Sequence, residues 1–227
     1  VLVDLREYKV PDAAAFSDKL VLFPKLTRLD MCGTGPSDEE MAGMRARYPA
    51  IKFIWYTRIY NWVIRTDIKG FSCGQRRKFP DGMGWYDSDK FSYRHIRSEH
   101  FENLKYCTDL IALDIGHSSH VGDINFLTKL PKLKILDISL CDLTDISPLA
   151  YQTELEFLEM TYNYVTDISP LANMKKLKYL NLNNNNLTGY DALLDLPLLE
   201  RLWISCSGLT DEQLETMVET LSAKLPN

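Results

Sequence analysis

Leu133-Lys134-Ile135-Leu136-Asp137-Ile138, Leu155-Glu156-Phe157-Leu158-Glu159-Met160, Leu177-Lys178-Tyr179-Leu180-Asn181-Leu182 and Leu199-Glu200-Arg201-Leu202-Trp203-Ile204 are four versions of one phrase. Each reads leucine-x-x-leucine-x-apolar, and each begins 22 positions after the one before. A further unit, Leu110-Ile111-Ala112-Leu113-Asp114-Ile115, precedes them by 23, with one residue added in the turn between Ser118 and His120. The alternation at the end of each phrase predicts a short strand with one face buried. A fixed period across about half the chain predicts a solenoid, because no single unit can bury its apolar face alone and stacked neighbours can.

The pattern runs on past the strand. Three positions after the third apolar residue stands Cys141, Asn163, Asn185 or Ser207, and two later Leu143, Val165, Leu187 or Leu209. An Asn there can satisfy backbone groups that the turn leaves unpaired. Thr144-Asp145-Ile146-Ser147-Pro148-Leu149 and Thr166-Asp167-Ile168-Ser169-Pro170-Leu171 are nearly identical, and Ser followed by Pro suits the first turn of a helix. The space allows only 3₁₀ or irregular structure on the far side.

These residues resemble the leucine-rich repeat consensus, and the 22-residue T-D-I-S-P-L-A form resembles the internalin and phosphatase-regulator class, frequent in bacterial surface proteins. The resemblance is close over 109–227 and loose over 1–56. It implies an α/β fold, a leucine-rich repeat solenoid with short parallel strands on a concave face. It also implies a non-catalytic role in protein or peptide recognition, a secreted or cell-surface setting, a monomer and no cofactor. A glycan-binding surface and a regulatory subunit of an intracellular enzyme are the alternatives.

Toward the N-terminus, Leu26-Thr27-Arg28-Leu29-Asp30-Met31 and Ile51-Lys52-Phe53-Ile54-Trp55-Tyr56 fit the template 25 apart, and Val3-Asp4-Leu5 fits the tail of an earlier strand. Ser37-Asp38-Glu39-Glu40 predicts a capping box opening a helix through Tyr48, and Thr210-Asp211-Glu212-Gln213 one through Ala223. The expected organisation is longer repeats over 1–56, an insertion or diverged repeats over 57–108, regular repeats over 109–208 and a capping helix over 209–227. The segment 57–108 holds ten Lys or Arg against six Asp or Glu, a net +4 that leaves −9 elsewhere. Its aromatics either pack on the solenoid edge or form a recognition loop. Trp62 to Ile68 reads as a strand and Asp81-Gly82-Met83-Gly84 as a turn.

A net charge of −5 over 227 residues argues against nucleic-acid binding, and no apolar run is long enough for a membrane span. The chain begins at Val1, as a trimmed or mature form would, so a missing leader says nothing of export. Five scattered cysteines (Cys32, Cys73, Cys107, Cys141, Cys206) make neither a disulfide framework nor a zinc site and are expected as small buried hydrophobes. His117 and His120 fall in a turn, Asp81, Asp87 and Asp89 miss the spacing of a twelve-residue calcium loop, and Arg76-Arg77-Lys78 is a short basic run. No metal site is expected. An enzyme would need a pocket around His95, His100, Asp87 and Asp89.

Strand alternation lets the outward face be read directly. The residue between the last two apolar positions must point away from the core: Asp30, Trp55, Asp114, Asp137, Glu159, Asn181 and Trp203. The preceding outward row is Arg28, Phe53, Ala112, Ile135, Phe157, Tyr179 and Arg201. The expected partner-binding residues are Asp114, Ile135, Asp137, Phe157, Glu159, Tyr162, Tyr179, Asn181, Arg201 and Trp203, with Leu140 nearby, an acidic ridge beside aromatics of the kind proteins bind.

Overall fold

A computed structural model describes residues 1–6, 8–73 and 96–224. The expectations placed on Arg76–Lys78, on the turn and cation site at Asp81–Asp89, and on His95 fall outside the described residues.

The repeating phrases become strands of three residues. β1 (Leu2–Asp4), β2 (Arg28–Asp30) and β3 (Lys52–Ile54) form one parallel sheet. β4 (Tyr56–Ile59) and β5 (Trp62–Arg65) form an antiparallel hairpin. β6 (Gly70–Ser72), β7 (Ala112–Asp114), β8 (Ile135–Asp137), β9 (Phe157–Glu159), β10 (Tyr179–Asn181) and β11 (Arg201–Trp203) follow in chain order in a second parallel sheet. Behind the first sheet lie α1 (Ala13–Lys19) and α2 (Asp38–Arg47); α3 (Asp211–Lys224) follows β11. The expected capping boxes are both present. Ser37 Oγ accepts from the Glu40 amide at 3.2 Å and Thr210 Oγ1 from the Gln213 amide at 3.2 Å.

Behind the second sheet each coil makes only a 3₁₀ segment, as at Ser147–Tyr151 and Ser169–Asn173. Five residues of room are too few for an α-helix, and Pro148 and Pro170 fit the first turn without an amide to leave unpaired. Leu149 and Leu171 point from these segments into a core continuous from Phe71 to Met217, where Leu113, Leu136, Leu158 and Leu180 are also buried.

Between strand and 3₁₀ segment the chain turns indoors, and a polar side chain answers its backbone. Asn163 Oδ1 accepts from the amides of Cys141 (3.2 Å) and Leu143 (3.1 Å), while Nδ2 donates to the carbonyls of Ile138 and Met160, both at 3.0 Å. Asn185 repeats this toward Val165, Met160 and Leu182. Cys141, at the same place one coil earlier, donates its thiol to the Ile115 carbonyl at 3.4 Å.

Three sequence expectations change. In the second N-terminal unit the register is one residue off: Leu29 pairs with Phe53, not Ile54. Phe53 and Trp55 therefore face the core, where both are buried, and neither belongs to an outward row. Within 57–108, the hairpin interrupts the repeat but Gly70–Ser72 rejoins it, with Phe71 paired to Leu113. Ile68-Lys69-Gly70-Phe71-Ser72-Cys73 satisfies the same template, hidden by its Gly and by the irregular spacing on either side. Finally, Cys206 is exposed, unlike the other four cysteines.

An ion cluster ties the two sheets together. Asp109 takes Lys132 Nζ at 2.7 Å, Lys52 from β3, and Lys69 beside β6 at 3.6 Å. The hydrogen bonds from Lys132 and then Lys52 hold the Asp109 carboxyl below the usual carboxylate range. A depressed acid adds stability that is present above its unfolded pKa and fades as pH falls below it. Asp109→Asn should therefore lower stability near neutral pH by roughly 1 kcal/mol, with variant and wild type converging below about pH 4 in urea melts. Asn163→Ala, which orphans two buried amides and the Ile138 carbonyl, should cost roughly 2–4 kcal/mol at every pH in the same assay.

Candidate functional site: the groove across the second sheet

Parallel pairing sets like positions side by side across the second sheet. Ala112, Ile135, Phe157, Tyr179 and Arg201 form one outward row, and Asp114, Asp137, Glu159, Asn181 and Trp203 the next, strand beside strand at about 4.8 Å. A third row follows each strand: His117, Leu140, Tyr162, Asn184 and Cys206, all in left-handed backbone with φ between 51° and 65°. There the amides of His117, Leu140, Tyr162 and Asn184 turn to the carbonyls of Ser139, Thr161, Asn183 and Ser205 of the next coil.

Seven of the ten expected binding residues, Asp114, Ile135, Asp137, Phe157, Glu159, Tyr162 and Asn181, line one groove of about 560 Å³. That is within the size range of ligand clefts. Tyr179 lies beside it, its ring 6.2 Å from that of Phe157 and its hydroxyl donating to Glu200. Arg201 and Trp203 sit on the last strand, outside the groove lining. Ala112, Leu113, His117, Ser139, Leu140 and Thr161 complete the lining. His117 was legible only as a turn residue, because nothing in the phrase itself marks the left-handed position.

The Asp positions also serve the fold. Asp114 Oδ1 accepts from the Gly116 amide at 3.1 Å, and Asp137 Oδ1 from the Ser139 amide at 3.0 Å and its hydroxyl at 2.7 Å. A Cβ at Gly116 would come within 2.8 Å of Asp137 Oδ1, so this carboxylate would have to shift to admit one.

Residues 153–193 match the family model for Leucine Rich repeats (2 copies). The fold is a leucine-rich repeat solenoid. The chain is similar to the crystal structure of an internalin, inlF, from Listeria monocytogenes, with 28% identity over 52% of this chain and 35% of that one, at a TM-score of 0.49. Internalin C2 of Listeria monocytogenes shares 32% identity over 43% of each chain, at a TM-score of 0.40. The ectodomain of the Arabidopsis thaliana receptor kinase GASSHO1/SCHENGEN3, solved in complex with CASPARIAN STRIP INTEGRITY FACTOR 2, shares 26% over 46% of this chain and 13% of that one, at a TM-score of 0.40. The chain thus spans less than half the length of each of these structures. No curated protein matches it.

The two sheets of this leucine-rich repeat solenoid treat their outward faces differently. On the first, Asp30 points outward as expected but is buried beneath the hairpin, where Arg65 binds it at 2.9 Å and also holds Asp67. On the second, no Lys or Arg among the described residues lines the groove. Glu159 accepts from Asn181 Nδ2 at 3.0 Å through Oε2, while Oε1 is buried without a hydrogen-bond partner.

Among the described residues no group of three or more His, Cys, Asp or Glu is placed to hold a metal ion. Burial pushes the thiols of Cys32, Cys73 and Cys107 up to about 12, so they stay protonated and weakly nucleophilic at neutral pH.

Burial, and after it the charge of Asp137, push the Glu159 carboxyl up, against the hydrogen bond from Asn181. An acid raised on folding favours the folded state when protonated and penalises it once ionised, so its penalty grows as pH rises above the ordinary carboxylate value. Glu159→Gln should raise the melting temperature near pH 7 by about 2 °C, and the gain should vanish below about pH 4, where wild type is itself protonated.

Proposed function

We propose that this protein is a binding module whose groove across β7 to β10 takes a protein or peptide segment. The observation that carries the reading is the contrast between the two outward faces. Where the hairpin covers the first sheet, its carboxylate is matched by Arg65. On the second, Ile135 and Tyr162 remain 50% and 56% exposed beside Asp137 and Glu159, and among the described residues no Lys or Arg lines the groove. Exposed apolar and aromatic side chains beside fixed charge are the composition of a recognition surface. The secreted or cell-surface setting implied by the internalin resemblance belongs to the same reading; among the described residues no helix is long and apolar enough to cross a membrane.

Panning a displayed library of random twelve-residue peptides against the immobilised chain tests it. Selected peptides should lose about tenfold or more in affinity on the Ile135→Ala/Phe157→Ala variant, with its circular dichroism unchanged. Peptides indifferent to the two substitutions would move the site off the groove. Binding on a glycan array with no peptide selected would turn the reading to carbohydrate.

A further inference from the structure

The groove has a distinct cross-section. Its floor is the row containing Asp137 and Glu159; one wall is Ile135 and Phe157, the other Leu140 and Tyr162. Neither wall is a by-product of core packing, since Ile135 and Tyr162 are at least half exposed. The second wall also stands on backbone that disfavours its residues. Leu140 and Tyr162 have φ of 53° and 54°, a region that glycine and asparagine enter readily and bulkier side chains do not. The same position holds Gly33 in the first sheet and Asn184 one coil past Tyr162. At the two coils in the middle of the groove the chain carries large apolar side chains instead.

Charge selects the occupant. Asp137 and Glu159 sit side by side on neighbouring strands, and among the described residues no Lys or Arg lines the groove. A cationic side chain laid between the walls would pair with these carboxylates and relieve the repulsion between them. A carbohydrate hydroxyl could donate but would leave the charge standing, and an acidic or wholly apolar segment would worsen or ignore it. Resting on the binding reading above, we infer that the groove takes an extended peptide segment whose lysine or arginine lies on Asp137 and Glu159 while its neighbouring apolar side chains pack against Ile135 and Phe157 on one side and Leu140 and Tyr162 on the other.

The peptides selected by panning decide this. The sequences should carry Lys or Arg next to Leu, Ile or an aromatic. Measured by fluorescence anisotropy, a selected peptide should lose about tenfold or more in affinity on the isosteric Asp137→Asn/Glu159→Gln variant, or when its basic residue is replaced by norleucine. Raising salt from 0.05 to 0.5 M (roughly, spanning the Debye range) should weaken the wild type and barely touch the variant. Leu140→Asn and Tyr162→Asn should each lower affinity about fivefold or more, with melting temperatures equal to or above wild type. Peptides that need Phe157 but carry no basic residue, or that bind the isosteric variant equally, overturn the inference and leave the binding reading standing. Peptides unaffected by either asparagine substitution overturn the role of the second wall. No selection on wild type over the Ile135→Ala/Phe157→Ala variant overturns both.

Discussion

Strands of three residues joined by indoor turns face one hard constraint: the turn's amides and carbonyls must be met where no water reaches. An unmet buried backbone group costs about 1–3 kcal/mol, and this fold repeats the problem in every coil. Asn163 and Asn185 solve it with one amide side chain apiece, accepting toward the preceding coil and donating to carbonyls on both sides. Because each Asn bridges two coils, it fixes their separation and register as well as their turns. Cys141 meets part of the same demand with a thiol donor, and Ser118 lies buried at the corresponding place before it, its hydroxyl 3.5 Å from the Cys73 thiol. The rows on the outward face are straight because this inner ladder is.

Register explains the division of the molecule. The first sheet uses longer coils backed by true helices, and its outward face is closed by the β4–β5 hairpin through Arg65, Asp30 and Asp67. The hairpin holds on by backbone too, with the Trp55 carbonyl accepting from the Thr66 amide at 2.9 Å. Trp55, turned inward, gives its indole proton to Asp38 at 2.6 Å. Asp109 then gathers lysines from beside β3, β6 and β8 at the seam between the sheets. Charge on one half of the molecule is thus spent on closing it, and on the other half is left facing out.

What could be read from the sequence followed the strength of the period. From Leu110 onward leucines every 22 residues left one possible register, and the strands, the 3₁₀ segments and the outward rows follow from it. Ile51-Lys52-Phe53-Ile54-Trp55 carries two interleaved apolar patterns, Ile51 with Ile54 and Phe53 with Trp55, and alternation alone cannot choose between them. Pairing with β2 chose the second, leaving Ile54 outward but buried. β6 escaped notice because Gly70 and Ser72 weaken its strand character and no Asn follows to mark the turn. The groove was legible as two rows and illegible as a cavity, since its second wall depends on a backbone conformation that the residues there do not advertise.

That second wall bears on how stability and recognition divide the repeat. The left-handed turn is imposed at every coil, because the amide there must reach the next coil's carbonyl, as Leu140 does to Thr161 and Tyr162 to Asn183 at 3.0 Å. The backbone cost is therefore common to all coils, and only the side chain is free to vary. Packing cannot account for the choice of Tyr162, which is more than half exposed, and an Asn at the same place in the next coil shows that a better-suited residue is available to this architecture. On the proposed binding role, a residue kept where the backbone disfavours it, and where burial returns little, is retained for what it presents outward. On this view the inner Asn ladder and the outer Leu140–Tyr162 wall are opposite uses of adjacent positions: the first is constrained by the fold, and the second is set against it by the surface.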